Sequence, residues 1–397
     1  MRRPSSILVG ALAASISLVV SLLGPGALRA QQLSESAGDT TADSSSRSSG
    51  LDLTIGHWGI GIGNVSRVNG LRLNYRDRGQ FVVNGINATI WLPHDPSLGV
   101  VNGVALGVPA TGARTINGVA LGIAGVGADE VIDGIALAPV GVGAGKALHG
   151  IILAGIGGGT GGDITGIALG GIGMGSGRSL TGVMLGGVGT GTGGDATGIL
   201  IGGVGAGAGR SLRGIGIGGV GAGAGGEVRG LLIGGVGAGS GGSMTGIGIG
   251  GIGIGAGGDY KGLALAGVGA GAGGRFEGIV VAGVGAGSGE LLKGLAIAGV
   301  GVGAPRVEGL VISSTAGAEK ARGAFIAPAY FRITDGGELT GFSISAFNHI
   351  KGEQRGLAIG IFNYARELHG VQIGVLNYAR NNRSGLKLLP LVNVHLP

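Results

Sequence analysis

The chain has 397 residues, of which 100 are glycine, yet 44% are hydrophobic and only 12% are charged. That balance excludes a solvated disordered chain, and glycine without a three-residue period excludes collagen. The formal charge of +6 loses Arg2, Arg3 and Arg29 if a leader is removed, leaving 24 basic and 21 acidic residues. The remaining charges stand singly, so there is no electrostatic case for a nucleic acid partner.

Residues 1–30 read as a signal peptide. Arg2 and Arg3 form a basic start, Ile7 to Leu23 is apolar, and Gly24-Pro25-Gly26 leads to the small residue Ala30, after which cleavage is expected. There is no cysteine, hence no lipid-anchored cysteine and no disulfide framework. Residues 31–50 are rich in Ser, Thr and Asp and are expected to be a disordered linker. Residues 51–101 carry Trp58 and Trp91 and read as atypical N-terminal capping repeats.

Residues 102–308 form the glycine-rich repeat. From Gly150 through Gly166, Gly182, Gly198 and onward to Gly294, a glycine recurs every 16 residues. A fixed period is the mark of a repeat architecture. Val140 to Ala304 contains no proline, as an uninterrupted backbone ladder requires. In residues 309–397 the spacing loosens and aromatic residues such as Phe331, Phe342 and Phe362 return, as terminal capping repeats should.

One unit, Gly214 to Arg229, shows what the period can build. Ile215 and Ile217 alternate with Gly216 and Gly218; Ala222 and Ala224 alternate with Gly221 and Gly223. This is the two-residue period of a strand, with a phase shift at Gly218-Gly219 and a polar turn at Glu227-Val228-Arg229. Helix is excluded by glycine at half the positions. The fold expected is an all-β solenoid with about 16 residues, two short strands and two turns per coil. Its core is expected to hold Ile, Val and Leu on one side of each coil and Val with Ala on the other. Charged turn residues such as Asp163, Arg178, Asp195 and Arg210 should then line one edge with mixed signs. The competing architectures are an outer-membrane β-barrel with one strand per repeat and a silk-like stack of sheets. Against a barrel, the face of Ala168, Met184, Leu200, Gly216 and Leu232 is not the polar lumen such a barrel needs.

No catalytic, cofactor or metal residues emerge. Gly221, Gly223 and Gly226 match a dinucleotide fingerprint only because glycine is so common, and Gly141 to Ala147 lacks the first glycine and the Ser or Thr of a phosphate loop. A nucleotide partner is therefore not expected. Asp163, Asp195 and Asp259 recur after Gly-Gly, but other coils place Glu227, Ser243 or Arg275 there, which does not suit calcium. His57, His94, His149, His349, His369 and His395 share no ligand spacing. Asn348, Asn363, Asn377 and Asn393 read as a stacked ladder bonding neighbouring coils, with a polar ligand-binding row as the competing reading.

The C-terminal units Gly356–Asn363 and Gly370–Asn377 resemble a family of bacterial surface-repeat proteins built on Gly-x-x-Ile-Gly-x-x-Asn. Gly341–Asn348 fits with Ser345 at the second glycine; Gly385–Asn393 is one residue longer. The resemblance covers about the last 55 residues. It implies export and surface association and supplies no chemistry, cofactor or site residues. The expectation is a non-enzymatic, exported structural or interaction protein of the cell surface, self-associating through Gly/Ala faces or resting on the outer membrane. An integral outer-membrane barrel is the alternative function, and the periplasm the alternative location.

Overall fold

The computed structural model of the chain describes residues 50–93 and 99–396. The expected signal peptide, and the expected linker up to residue 49, lie outside the described residues. The described residues are all-β, without helix, and form a β-solenoid with about 16 residues per turn.

The coil that starts at Asp163 shows the plan. A long strand, Asp163–Gly170, turns through Gly171 and Ile172 into a short strand, Gly173–Ser176, and Gly177 and Arg178 lead to the next long strand. Each strand pairs in parallel with its copies in the coils before and after. Gly166 lies opposite Gly150 and Gly182; Gly173 lies opposite Gly157 and Gly189. The barrel is thereby overturned, and with it the silk-like stack. Strands of a one-strand-per-repeat barrel join through turns and run antiparallel to their neighbours. Here the return segment of each coil, a second strand from Ala110 onward, brings the chain back, so neighbouring long strands run parallel.

The ends break this rule. Strand β1 (Gly50–Ile55) is antiparallel to β2 (Trp58–Gly63), and β2 is parallel to β3 (Arg67–Asn74). At the other end, Leu388–His395 lies antiparallel against the last long arm, pairing Val371 with Val394. Pro390 and the left-handed Leu391 sit in that closing strand, where a missing donor and a kink discourage further pairing.

The repeating glycine is required by two observations. At Gly166, Gly182, Gly198 and Gly214, φ lies between +120° and +130°. A Cβ there would stand 1.9–2.1 Å from the carbonyl oxygen of the preceding anchor glycine. No L side chain meets either demand.

On the long-strand side the core is the reverse of the one expected, while the alanines of the short strand face inward as expected. Ile215 and Ile217 point outward; Leu212, Gly216 and Gly218 point inward with Ala222 and Ala224 of the short strand. The phase is set by the apolar residue inside the polar turn segment. Ile164, Leu180, Ala196, Leu212, Val228, Met244, Tyr260 and Phe276 occupy this inner row and are almost wholly buried. Two-residue alternation then carries the next outward positions to Ile or Leu. The second inner row is Ala168, Met184, Leu200, Gly216 and Leu232, the face expected to lie outside.

So narrow a core is filled by exchanging size between neighbours. At Gly248 a Cβ would meet Ile254 Cδ1 at 1.8 Å and Tyr260 Oη at 2.5 Å. That gap admits Ile254 where the adjoining coils have Ala238 and Ala270, and admits Tyr260, whose hydroxyl donates to the Leu263 carbonyl at 2.8 Å. Burial pushes the Tyr260 phenol up.

Two glycines of one coil should respond oppositely to alanine. Gly214→Ala meets the Gly198 carbonyl oxygen at 2.1 Å and a φ of +129°, and should lower stability by about 3 kcal/mol. Gly221→Ala meets nothing closer than the Gly237 oxygen at 3.8 Å. It should raise stability by about 0.5 kcal/mol, by restricting the unfolded chain. Urea unfolding of the two variants decides; equal losses would contradict the account of the anchor.

Candidate interaction surface

The outward positions of the long strands form two rows along the stack. One runs through Ile151, Ile167, Val183, Ile199, Ile215 and Leu231; the other through Leu153, Leu169, Leu185, Ile201, Ile217 and Ile233. Traced in register, the first row is apolar from Leu53 of β1 to Val371, and the second from Leu51 to Ile373. In the first row Ile151, Ile167, Ile247 and Ile279 are 41–44% exposed, while Ile199, Ile215 and the second-row Ile201, Ile217 and Ile233 are half-buried. A third row stands at the corner after the long strand, from Val140 through Ile156 and Ile172 to Val300. β-Branched and leucine side chains suit a pleated surface that another surface covers.

The outer face of the short strands is different. Gly205, Gly221 and Gly237 form one row, and Gly207, Gly223 and Gly239 another. This face is bare glycine backbone, and the alanines of these strands point inward, as in the expected core. Toward the C-terminus side chains replace the glycines, because Tyr330 pairs with Phe347 and Arg332 with His349. Phe347 and Phe362 lie 5.2 Å apart, and Tyr364 and Tyr378 stack at 5.4 Å with only 3° between their planes. Tyr330 Oη and His349 Nδ1 are 2.8 Å apart, and burial, then Lys351 and Arg332, lower the imidazole. The stacked rings turn their faces to one another and so cover this end of the sheet. Their spacing in the sequence signalled bulk but not this row.

The charged edge shows a longer rhythm. The position of Asp163 is held in successive coils by Ser179, Asp195, Ser211, Glu227, Ser243 and Asp259. Acids thus alternate with serines, so no two carboxylates meet at the strand spacing of about 4.8 Å. Ser211 Oγ donates to Asp195 at 2.7 Å, Arg210 pairs with Asp195 at 2.7 Å, and Arg178 pairs with Asp163. Arg275 holds Asp259 at 2.8 Å. These carboxylates serve turn ion pairs. The expected mixed-sign edge is present, and its two-coil period was readable in Gly-Gly-Asp alternating with Gly-Arg-Ser.

The other candidates resolve individually. Gly221 and Gly223 lie in a short strand and Gly226 in the turn after it; no helix follows to cradle a phosphate. Lys146 pairs with Glu130 at 2.7 Å. His57 sits at a positive φ in the β1–β2 hairpin, His149 lies on the long-strand row with Thr165, and His369 meets His395 edge-on at 5.9 Å. His94 lies outside the described residues. Among the described residues, no three His, Asp or Glu side chains gather as metal ligands.

Asn348 Nδ2 donates to Asn363 Oδ1, and Asn363 Nδ2 to Asn377 Oδ1, each at 2.7 Å, and all three residues are buried. The stacked ladder is therefore present from Asn348 to Asn377, while Asn393, its fourth expected member, donates instead to the Asn377 backbone carbonyl at 3.2 Å; burial of all four removes the ligand-binding reading. A second, exposed ladder joins Asn69, Asn84, Asn102 and Asn117 at 2.7–2.8 Å. Sequence reasoning also missed Arg72, which is fully buried at the N-terminal end of the core. It pairs with Asp77, donates to Asn87 at 2.8 Å and lies 4.2 Å from the Phe81 ring centre. Alternation alone made it look like an ordinary outward residue.

The edge ion pairs predict a narrow acid response. Hydrogen bonds from Arg178 and then Ser179 hold the Asp163 carboxyl down at about 2. An unfolded Asp titrates near 3.9, so the stabilising contribution is complete above that pH and is lost as pH falls toward 2. Side-chain NMR of Asp163 should show this low midpoint, and Arg178→Ala should raise it. Melting temperature should stay level between about pH 7 and 5, with the pair contributing little because it is exposed. An unchanged Asp163 midpoint in the variant would contradict the assignment.

Comparison of the chain with protein-family models, with curated proteins and with solved structures finds no match.

Proposed function

We propose that the chain is an exported, non-enzymatic scaffold of the bacterial cell surface, a rigid repeat stack that works by presenting its aliphatic face. The observation that carries this reading is the continuity of that face. Its two outward rows hold apolar side chains in every coil from β1 to the closing strand, over about 100 Å at the usual strand spacing. Exposed apolar patches on monomeric proteins rarely exceed about 600 Å², and larger ones mark interaction sites. Aliphatic rows offer adhesion and no acid, base or nucleophile. Export is supported by Arg2, Arg3, the apolar run Ile7 to Leu23 and Ala30. The resemblance of the last units to surface-repeat proteins agrees with it.

Cell fractionation followed by N-terminal sequencing tests the reading. The expected result is a chain starting at or near Gln31 in the envelope or surface fraction. An uncleaved chain in the cytosol would overturn export. Loss of a small-molecule conversion on deletion of the chain, restored by purified protein, would overturn the non-enzymatic part.

A further inference from the structure

We infer that the aliphatic face is covered by a second copy of the same chain, packed sheet on sheet. The inference rests on reading that face as an assembly surface and names its occupant.

The first argument is area. Two rows about 7 Å apart, with their side chains, make a strip about 10 Å wide, so a stack of about 100 Å exposes on the order of 1,000 Å². Two copies together would bury about 2,000 Å², above the roughly 1,600 Å² of a standard stable interface. The second argument is pitch. Ile167, Val183, Ile199 and Ile215 are ridges repeated at every coil, because each pairs in register with the next. Such a corrugated surface interdigitates best with one of the same spacing, and this chain carries one. The third argument is chemistry. Surfaces that lie on lipid combine Trp or Phe anchors with a dense Lys and Arg face. From Leu71 to Ala324 the first row holds only aliphatic residues, and the strand position beside it mixes Asp133, Thr165, Arg213, Lys261 and Glu277. That is the composition of a sheet buried against another sheet, with a polar rim.

The contact is isologous, since both copies offer the same strip. It leaves the glycine face and the ion-paired edge facing outward.

Sedimentation of the full chain without detergent tests the inference. The wild type should be dimeric at micromolar concentration. Ile167→Glu, Ile199→Lys, Leu231→Glu and Leu263→Lys, placed together, put alternating charges on alternate coils of the outer row. They should raise the dissociation constant by roughly a hundredfold or more, with the β circular dichroism unchanged. A milder set, Ile199→Thr, Ile215→Thr, Ile217→Thr and Ile233→Thr, keeps strand-forming residues and should weaken association by roughly tenfold or more. A monomeric wild type overturns the inference, and so does association that survives both sets. Association lost instead with Gly207→Lys and Gly221→Lys would move the contact to the glycine face. Wild-type monomer binding phosphatidylcholine–phosphatidylglycerol vesicles would make lipid the occupant. None of these outcomes bears on export, which fractionation judges separately.

Discussion

The structure depends on one constraint: each residue lies beside the residue about 16 places away, in register and about one strand spacing distant. Like therefore meets like, and every row must tolerate its own repetition. Glycine tolerates it best, and at the anchors nothing else does, because each anchor lies almost against the carbonyl of the one before. Asparagine tolerates it by passing an amide hydrogen bond along the row, as from Asn348 through Asn363 to Asn377. Carboxylates tolerate it only with a cation beside them, as Arg355 stands against the paired Glu338 and Glu353, because like charges opposite one another destabilise a sheet. The edge accordingly places serine between its acids and arginine beside them.

The same constraint distributes side-chain size. An interior only as wide as two facing strands cannot take a large residue from both sides of every coil. Bulk placed at Tyr260 is matched by its absence at Gly248, and the inner short-strand row is mainly alanine. Aliphatic bulk beyond that has nowhere to go but outward. Exposed Ile and Leu do not hold this coil closed; the inner row, the backbone ladders and the buried ends do so. Those ends are polar by design of the stack. Arg72 and Asp77 plug one end, and Asn348, Gln354 and Asn377 fill the core near the other, where an aliphatic interior would otherwise meet water.

Much of the fold was legible in the spacing. The coil length, the two strands per coil, the proline-free ladder, the mixed-charge edge and the asparagine stack all follow from residues that recur at a fixed interval. The two faces of the long strand are the reverse of those expected, for a definite reason. In a strand of alternating Ile and Gly, hydrophobicity alone sends Ile inward. The deciding residue was Val228 and its equivalents, written between two polar neighbours and read as part of the turn. Its recurrence as Ile164, Leu180, Leu212, Met244 and Phe276 was visible, and a turn has no need of a bulky apolar residue in almost every coil. Arg72 was not legible, because a buried cation is defined by partners as distant as Asn87.

The allocation also separates folding from assembly. A substitution on the outer rows leaves the inner rows, the anchors and the ladders untouched, so the surface can change without endangering the coil. That independence explains how the face can stay aliphatic through the whole stack while the core beneath varies from Gly216 to Met184 to Phe325. Uniformity has its own consequence. A face that repeats at every coil would define which side of the molecule meets a second copy, but a shift by one coil would leave that contact nearly unchanged. Register between two such faces must come from where the repetition stops. In this chain it stops at the ends, with Leu51, Leu53 and Trp58 on the opening hairpin and Phe342 in the C-terminal coils. The irregular ends that close each core are thus also the features able to align one stack with another.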